Sequence, residues 1–225
     1  MRLNIETAEK TGGNIDYTKH YKNPKDKKMK INNSISRMSL SLILGGATVM
    51  SMKAQSKFHV NIDYHYNLGL SMHQFGKTYG RSDYNMGGHS LRLSTRYDVA
   101  PKFSVGAGIG LERYTADDYD YNTLPIYATL RYKPLKSLAG AYVFTDIGYA
   151  VSPSSDFYKG FTDKLGIGYT VKVTRHFGVN FQVAYDFKDF RDITTGYIDY
   201  DTQKPVFYNT NTTRHSLSFG VGVTF

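Results

Sequence analysis

The 225-residue chain contains no cysteine and no tryptophan. The first absence excludes a disulfide framework, a thiolate metal site and a lipid-bearing cysteine anchor. No apolar run reaches the ~18 residues that a membrane-spanning helix needs. Mean hydropathy is −0.43, which would suit a soluble protein. It would equally suit a transmembrane barrel, whose strands alternate apolar and polar residues and so average out as polar. What is abundant is tyrosine and glycine, with 20 and 21 copies. Tyrosine suits pleated, half-buried surfaces and membrane interfaces, and glycine suits turns and crowded interiors.

The formal charge of +9 is unevenly placed: residues 1–54 hold 10 of the 28 basic and 4 of the 19 acidic residues. From residue 55 onward the net charge is only +3. A nucleic-acid-binding surface would need the excess clustered on a folded face, so no nucleic acid partner is expected. The basic segment reads instead as an export leader beginning at Met29. Lys30 and Arg37 supply its positive start and Met38 to Met50 its short apolar stretch. Ala54 is a small residue suited to cleavage before Gln55, although Met52 is larger than the residue usual two positions earlier. Residues 1–28 are polar, Lys-rich and aperiodic and read as a disordered or mis-assigned extension. The expected organisation is therefore 1–28 extension, 29–54 signal peptide and 55–225 barrel.

From residue 57 a period of two takes over, which a helix with its period of 3.6 could not sustain on separate faces. Phe58, Val60, Ile62, Tyr64, Tyr66 and Leu68 alternate with His59, Asn61, Asp63, His65 and Asn67. Leu91, Leu93, Tyr97 and Val99 oppose Arg92, Ser94, Arg96 and Asp98; Phe103 to Leu111 oppose Ser104 to Glu112 in the same way. Leu124 to Tyr132 oppose Tyr127, Thr129, Arg131 and Lys133, and further strands fall near 139–151, 160–173, 177–187 and 214–225. In the first of these four, Tyr142 and Phe144 compete with Val143, Ile147 and Tyr149 for the outer face. The count gives an all-β chain, an eight-stranded antiparallel up-and-down transmembrane β-barrel.

Tight links at 100–102, 134–138 and 174–176 alternate with longer polar ones near 73–88, 115–123, 152–159 and 188–213. That is the asymmetry of outer-membrane barrels, with short turns in the periplasm and long loops outside. Aromatic residues end the apolar stripes: Phe58, Tyr97, Phe103, Tyr132, Phe177 and Phe225 at one boundary, and Tyr66, Tyr149, Tyr185 and Phe187 at the other. Two such rings would be interfacial girdles. Period alone gives two faces without saying which is inside, and a lipocalin-like barrel would invert them.

With the apolar face outward, Asp63, Arg92, Arg96, Glu112, Arg131 and Asp146 form a lumen charge network. Asp63, Glu112 and Asp146 are its expected counter-ions. Inward glycines such as Gly106, Gly108, Gly166, Gly168 and Gly220 would leave room for long side chains, so the lumen is expected to be plugged. The outer segment 188–213 carries Phe190, Tyr197, Tyr200, Phe207 and Tyr208 among polar residues, the composition of a binding loop. His89-Ser90 and His215-Ser216 bear on an alternative, a lipid-modifying enzyme, but neighbours on a strand point to opposite faces and cannot easily make a nucleophile–base pair. A narrow solute channel is the other alternative.

The Gly-aromatic strands Ala107-Gly108-Ile109-Gly110-Leu111, Asp146-Ile147-Gly148-Tyr149 and Leu165-Gly166-Ile167-Gly168-Tyr169, with the ending Ser218 to Phe225, resemble small outer-membrane barrels (OmpA/OmpX-like, porin-family or opacity-like). Gln after Ala54 resembles exported proteins of Bacteroidota. The resemblance implies that Phe219, Val221, Val223 and Phe225 are read by the barrel-assembly machinery. It further implies contact with outer-membrane lipid and lipopolysaccharide, an extracellular ligand or host surface as partner, no cofactor or metal, and no enzymatic activity. Expression from Met29 in a Gram-negative host should yield a mature chain starting at Gln55, read by intact-mass measurement. A chain in the membrane fraction that still carries Met29 would contradict the leader.

Overall fold

The structure, a computed structural model, describes residues 57–117, 119–198 and 204–225. The leader, the Ala54-Gln55 pair and Tyr200 lie outside these residues. Nine strands follow in order: β1 (Phe58–Gln74), β2 (Lys77–Gly80), β3 (Met86–Ala100), β4 (Phe103–Ala116) and β5 (Tyr119–Tyr132), then β6 (Ala141–Val151), β7 (Gly160–Lys172), β8 (Gly178–Ile198) and β9 (Pro205–Thr224). Each pairs antiparallel with its neighbour, and β9 returns to pair with β1 from Asn61↔Thr224 to His73↔Thr213. Strands β1 and β3–β9 therefore form a closed eight-stranded antiparallel barrel. Strand β2 is a short arm that folds back on the end of β1 through Phe75-Gly76, both with positive φ (54° and 72°). Two positive φ values in succession are what a tight type I′ hairpin requires.

The register fixes the barrel's stagger. Starting at Asn61 and following paired residues strand by strand, the path runs through Ser94, Gly108, Tyr127, Gly148, Thr162, Lys188 and Arg214. It returns to β1 at Met72, eleven residues further on, one of which is taken up by the bulge at Gly69/Ser71. A stagger of about ten for eight strands corresponds to strands tilted by ~40°.

The two faces have opposite chemistry. Ile126, Ile147, Leu165, Ile167, Phe181 and Val221 are exposed on the outer wall. The largest fully buried side chains include Arg214, Tyr114, Lys164 and Lys188, all inside. A water-soluble barrel would bury the first set and expose the second. This inversion makes the chain an integral membrane protein of outer-membrane type, since only closed barrels and helices satisfy every backbone group in lipid. At the short-turn end, which faces the periplasm in such barrels, Phe103–Tyr132 and Phe177–Phe225 rings lie 6.2 and 5.4 Å apart. At the other end Tyr66, Tyr149 and Tyr185 are exposed, and the Tyr64 hydroxyl is 2.6 Å from His89 Nδ1.

One open question closes and three expected loops change. The competition in β6 resolves with Tyr142 and Phe144 buried in the lumen and Val143, Ile147 and Tyr149 outside. The segment 115–123 is a tight connection between β4 and β5, and 73–88 is mostly hairpin. The segment 188–213 is largely strand: β8 runs to Ile198 and β9 starts at Pro205. Above the bilayer both faces of a strand meet water, so apolar alternation stops while the ladder continues. The segment 152–159 keeps the character of an irregular outer loop.

Ile167 lies mid-strand between Val143 and Val183 and is 63% exposed. Ile167→Arg should lower the unfolding free energy in vesicles by about 2–4 kcal/mol, measured by urea titration. An unchanged midpoint would contradict a lipid-facing Ile167.

Candidate functional site

The lumen is built from alternate residues of all eight barrel strands, and glycine decides where bulk can enter. Tyr127 lies opposite Gly108 and Tyr142 opposite Gly168. A Cβ at either glycine would run into the facing ring, so the missing side chain is what lets each tyrosine lie across the lumen.

In the outer half, Glu112 is the hub. Its carboxylate accepts from Arg92 Nη2 at 2.7 Å, Lys188 Nζ at 2.6 Å, Thr123 Oγ1 at 3.1 Å and the Tyr114 hydroxyl at 3.3 Å. Arg92 also donates to Asp146 at 2.7 Å and stacks over the Tyr127 ring. Tyr114 donates to Asp186 at 2.7 Å, and Lys164 Nζ donates to Ser218 at 3.0 Å while lying 4.0 Å from Asp186. Arg214 donates instead to the carbonyls of Thr115 and Gly87, at 2.9 and 2.8 Å. Arg92, Lys188 and Glu112, paired in this way, are tolerable in a buried interior where a lone charge would not be. Above them sits an apolar lid of Met72, Met86, Tyr114, Tyr121, Phe190 and Ile193. Phe190 is its keystone, with ring centroids 4.9 Å from Tyr121 and 5.7 Å from Tyr114.

The periplasmic half is hydrogen-bonded rather than ion-paired. His65 Nε2 and Gln182 Oε1 are 2.8 Å apart, and Gln182 donates to the Tyr142 hydroxyl at 3.1 Å. Asn180 donates to Asp63 at 3.2 Å, and Arg96 donates to Asn61 at 2.7 Å. Arg131 stacks on Tyr142, 3.7 Å from the ring centroid. At the mouth, Asp98 takes His59 Nε2 at 3.0 Å and the Ser104 hydroxyl at 2.6 Å.

Of the six expected network residues, the structure joins Arg92, Glu112 and Asp146. It leaves Asp63, Arg96 and Arg131 deeper and without ion pairs among the described residues. Sequence reasoning left out Lys164, Lys188 and Arg214. Parity could have found them, because each lies an even number of residues from an inward glycine or aspartate: Gly166, Asp186 and Gly220. Phe190 was expected in an exposed loop and is instead 1% exposed inside the lid. It continues the inward series Asp186, Lys188, Phe190 up to the bulge at Asp192, whose φ is 56°.

On the outer surface, β8 and β9 pair for six more residues beyond this bulge, from Ile193↔Thr210 to Ile198↔Pro205. This hairpin projects ~20 Å along the strand direction. Val206, Phe207 and Tyr208 are exposed near its tip, and the Phe75 ring of the β1–β2 turn lies 6.3 Å from Tyr208. Tyr197 pairs with Val206 in this hairpin. A cleft of about 520 Å³ lies nearby on the barrel's outer wall, lined by Tyr149, Val151, Phe157, Lys159 and Arg191. At the other end of β9, Phe219 and Val221 face outward, Val223 follows in the same parity, and the backbone of Phe225 exchanges hydrogen bonds with Val60 at 2.9 and 3.1 Å. Both His-Ser dipeptides straddle the wall: Ser90 and Ser216 are buried in the lumen, whereas His89 and His215 contact Tyr64 and Tyr185 outside.

No protein-family model matches the sequence, and no curated protein matches it. Among solved structures, the chain is similar to the outer membrane protein OprG from Pseudomonas aeruginosa (14% identity, 75% of this chain and 95% of that one, TM-score 0.46). It is also similar to the outer membrane protein AlkL (14% identity, 76% and 90%, TM-score 0.41) and to Neisserial surface protein A (17% identity, 75% and 97%, TM-score 0.39). None of these similarities bears on what the barrel does.

Glu112→Leu would leave Arg92 and Lys188 buried without their shared carboxylate. Breaking a buried pair from one side costs about 3–5 kcal/mol, and urea unfolding in vesicles should register a loss of that size.

Proposed function

We propose that this protein is a plugged, non-enzymatic surface barrel of the OmpA/OmpX-like kind, whose working part is the raised β8–β9 hairpin. The observation that carries this reading is the contrast along one pair of strands. Within the membrane β8 and β9 contribute Lys188, Phe190 and Arg214 to a filled lumen; beyond it they present Val206, Phe207 and Tyr208 to solvent. Exposed aromatic clusters on a rigid ladder favour binding, because little side-chain or backbone freedom is lost on contact. The partner class is an extracellular ligand or host surface. Lipopolysaccharide surrounds the outer girdle, and the barrel-assembly machinery reads Phe219, Val221, Val223 and Phe225 during insertion.

A conducting channel is disfavoured by the salt-bridged outer half and its lid. A hydrolase acting through His89-Ser90 or His215-Ser216 is disfavoured because the wall separates each pair. Deleting residues 192–210 should leave a heat-modifiable barrel on gels while abolishing capture of extracellular proteins and glycans from a displayed panel. Phe207→Ala combined with Tyr208→Ala should weaken that capture at least tenfold. Unchanged capture in both variants would remove the hairpin from consideration, and stable large conductance in planar bilayers would overturn the plug.

A further inference from the structure

The lumen's two halves balance charge differently. In the outer half Arg92, Lys164 and Lys188 each lie within 4.0 Å of a carboxylate of Glu112, Asp146 or Asp186, while a fourth cation, Arg214, is held by two backbone carbonyls. Toward the periplasm Arg96, Arg131 and Lys133 face, among the described residues, the carboxylates of Asp63 and Asp98. Both carboxylates are already engaged, Asp63 by Asn180 and Gln182 and Asp98 by His59 and Ser104. Arg96 and Arg131 are 4% and 6% exposed, and the Nε of each is buried without a hydrogen-bond partner among the described residues. Arg96 has one side-chain hydrogen bond, to Asn61, and Arg131 rests on the Tyr142 ring. Two deeply buried guanidiniums without an ion-paired carboxylate leave part of their desolvation cost unmet.

Their placement brings them together. Arg96 on β3 pairs with Gly106 on β4, which pairs with Thr129 on β5, and Arg131 is the next inward residue of β5. Between the two arginines β4 therefore offers Gly106, where a Cβ would meet the Arg96 backbone and side chain. A Cβ there would also fall on the Thr95 carbonyl oxygen, so glycine marks close packing of β3 on β4 and places no side chain between the two arginines. The mouth on this side is ringed by polar groups, with Lys133 half-buried and Lys172 exposed on the approach.

We propose that Arg96 and Arg131 form a binding site for a small oxyanion of the phosphate or sulfate class, entered from the periplasmic end. Planar guanidinium forks match oxyanions through paired N–H donors. Asn61 and Tyr142 orient the forks, one by a hydrogen bond and the other by stacking. The oxyanion supplies the ion-pair partner that neither arginine has among the described residues. This site is independent of the hairpin and of whatever the hairpin binds.

The test uses the protein as it is purified from outer membranes. Thermal unfolding is followed by far-ultraviolet circular dichroism during titration with sodium phosphate, against sodium chloride at equal ionic strength. Phosphate should raise the midpoint saturably and chloride should not. Arg96→Gln and Arg131→Gln should each abolish the rise. Arg113→Gln, on the outer wall where Arg113 pairs with Asp120, should retain it. Arg131→Lys, which keeps the charge but loses the fork, should fold and bind phosphate at least tenfold more weakly by isothermal titration calorimetry. An equal rise in chloride, or a phosphate response undiminished by the Arg131→Lys substitution, overturns the proposal.

Discussion

A strand in hydrocarbon has no water to complete its backbone hydrogen bonds, and each unmet N–H or C=O there costs several kcal/mol. The structure meets this constraint through the β1–β9 ladder, which closes the sheet and removes its edges within the membrane. Closure with a stagger of about ten sets the tilt, and the tilt sets how much lumen eight strands enclose. That space is narrow, so its contents are decided residue by residue. Opposite Gly108 a tyrosine fits, and Gly166 lies between Phe144 on β6 and Ala184 on β8.

Lipid outside leaves the polar residues nowhere to face but inward, and there they must satisfy one another. Glu112 does this for Arg92, Lys188, Thr123 and Tyr114 at once. A shared acceptor makes the outer plug a single cooperative unit instead of a series of separate pairs. The inner half is looser in this sense, with amides and rings doing what carboxylates do above. The difference between the halves would not be seen in a count of lumen charges. It lies in which charges the stagger brings within reach.

Sequence carried the membrane-spanning part of the fold because hydrocarbon on one side and a polar lumen on the other force strict alternation. Phe58 to Leu68 and Phe103 to Glu112 announce their two faces without help. Tyr142 and Phe144 were ambiguous because an aromatic residue suits either a girdle or a lumen; the glycine opposite Tyr142 decides the matter, and that pairing depends on register. Phe190 misled for a related reason. An aromatic near a polar stretch resembles an exposed anchor until the bulge at Asp192 shows that its strand has not yet left the barrel. The pairing of Arg92 with Asp146, 54 residues apart across the lumen, was legible only as membership of one network, since period two gives the face of a residue and not its height.

The same ladder that seals the barrel also governs the order in which it can form. Asn61 and Thr224 meet across 163 residues of chain, whereas every other barrel pairing joins sequence neighbours. Loop-closure entropy opposes that one contact most, and it cannot form until the intervening strands have already shortened the path. Until it does, β1 and β9 each present an open edge that lipid cannot accommodate. Partly assembled sheets therefore have no stable place in the bilayer. Insertion and closure become one event, completed when the backbone of Phe225 reaches Val60.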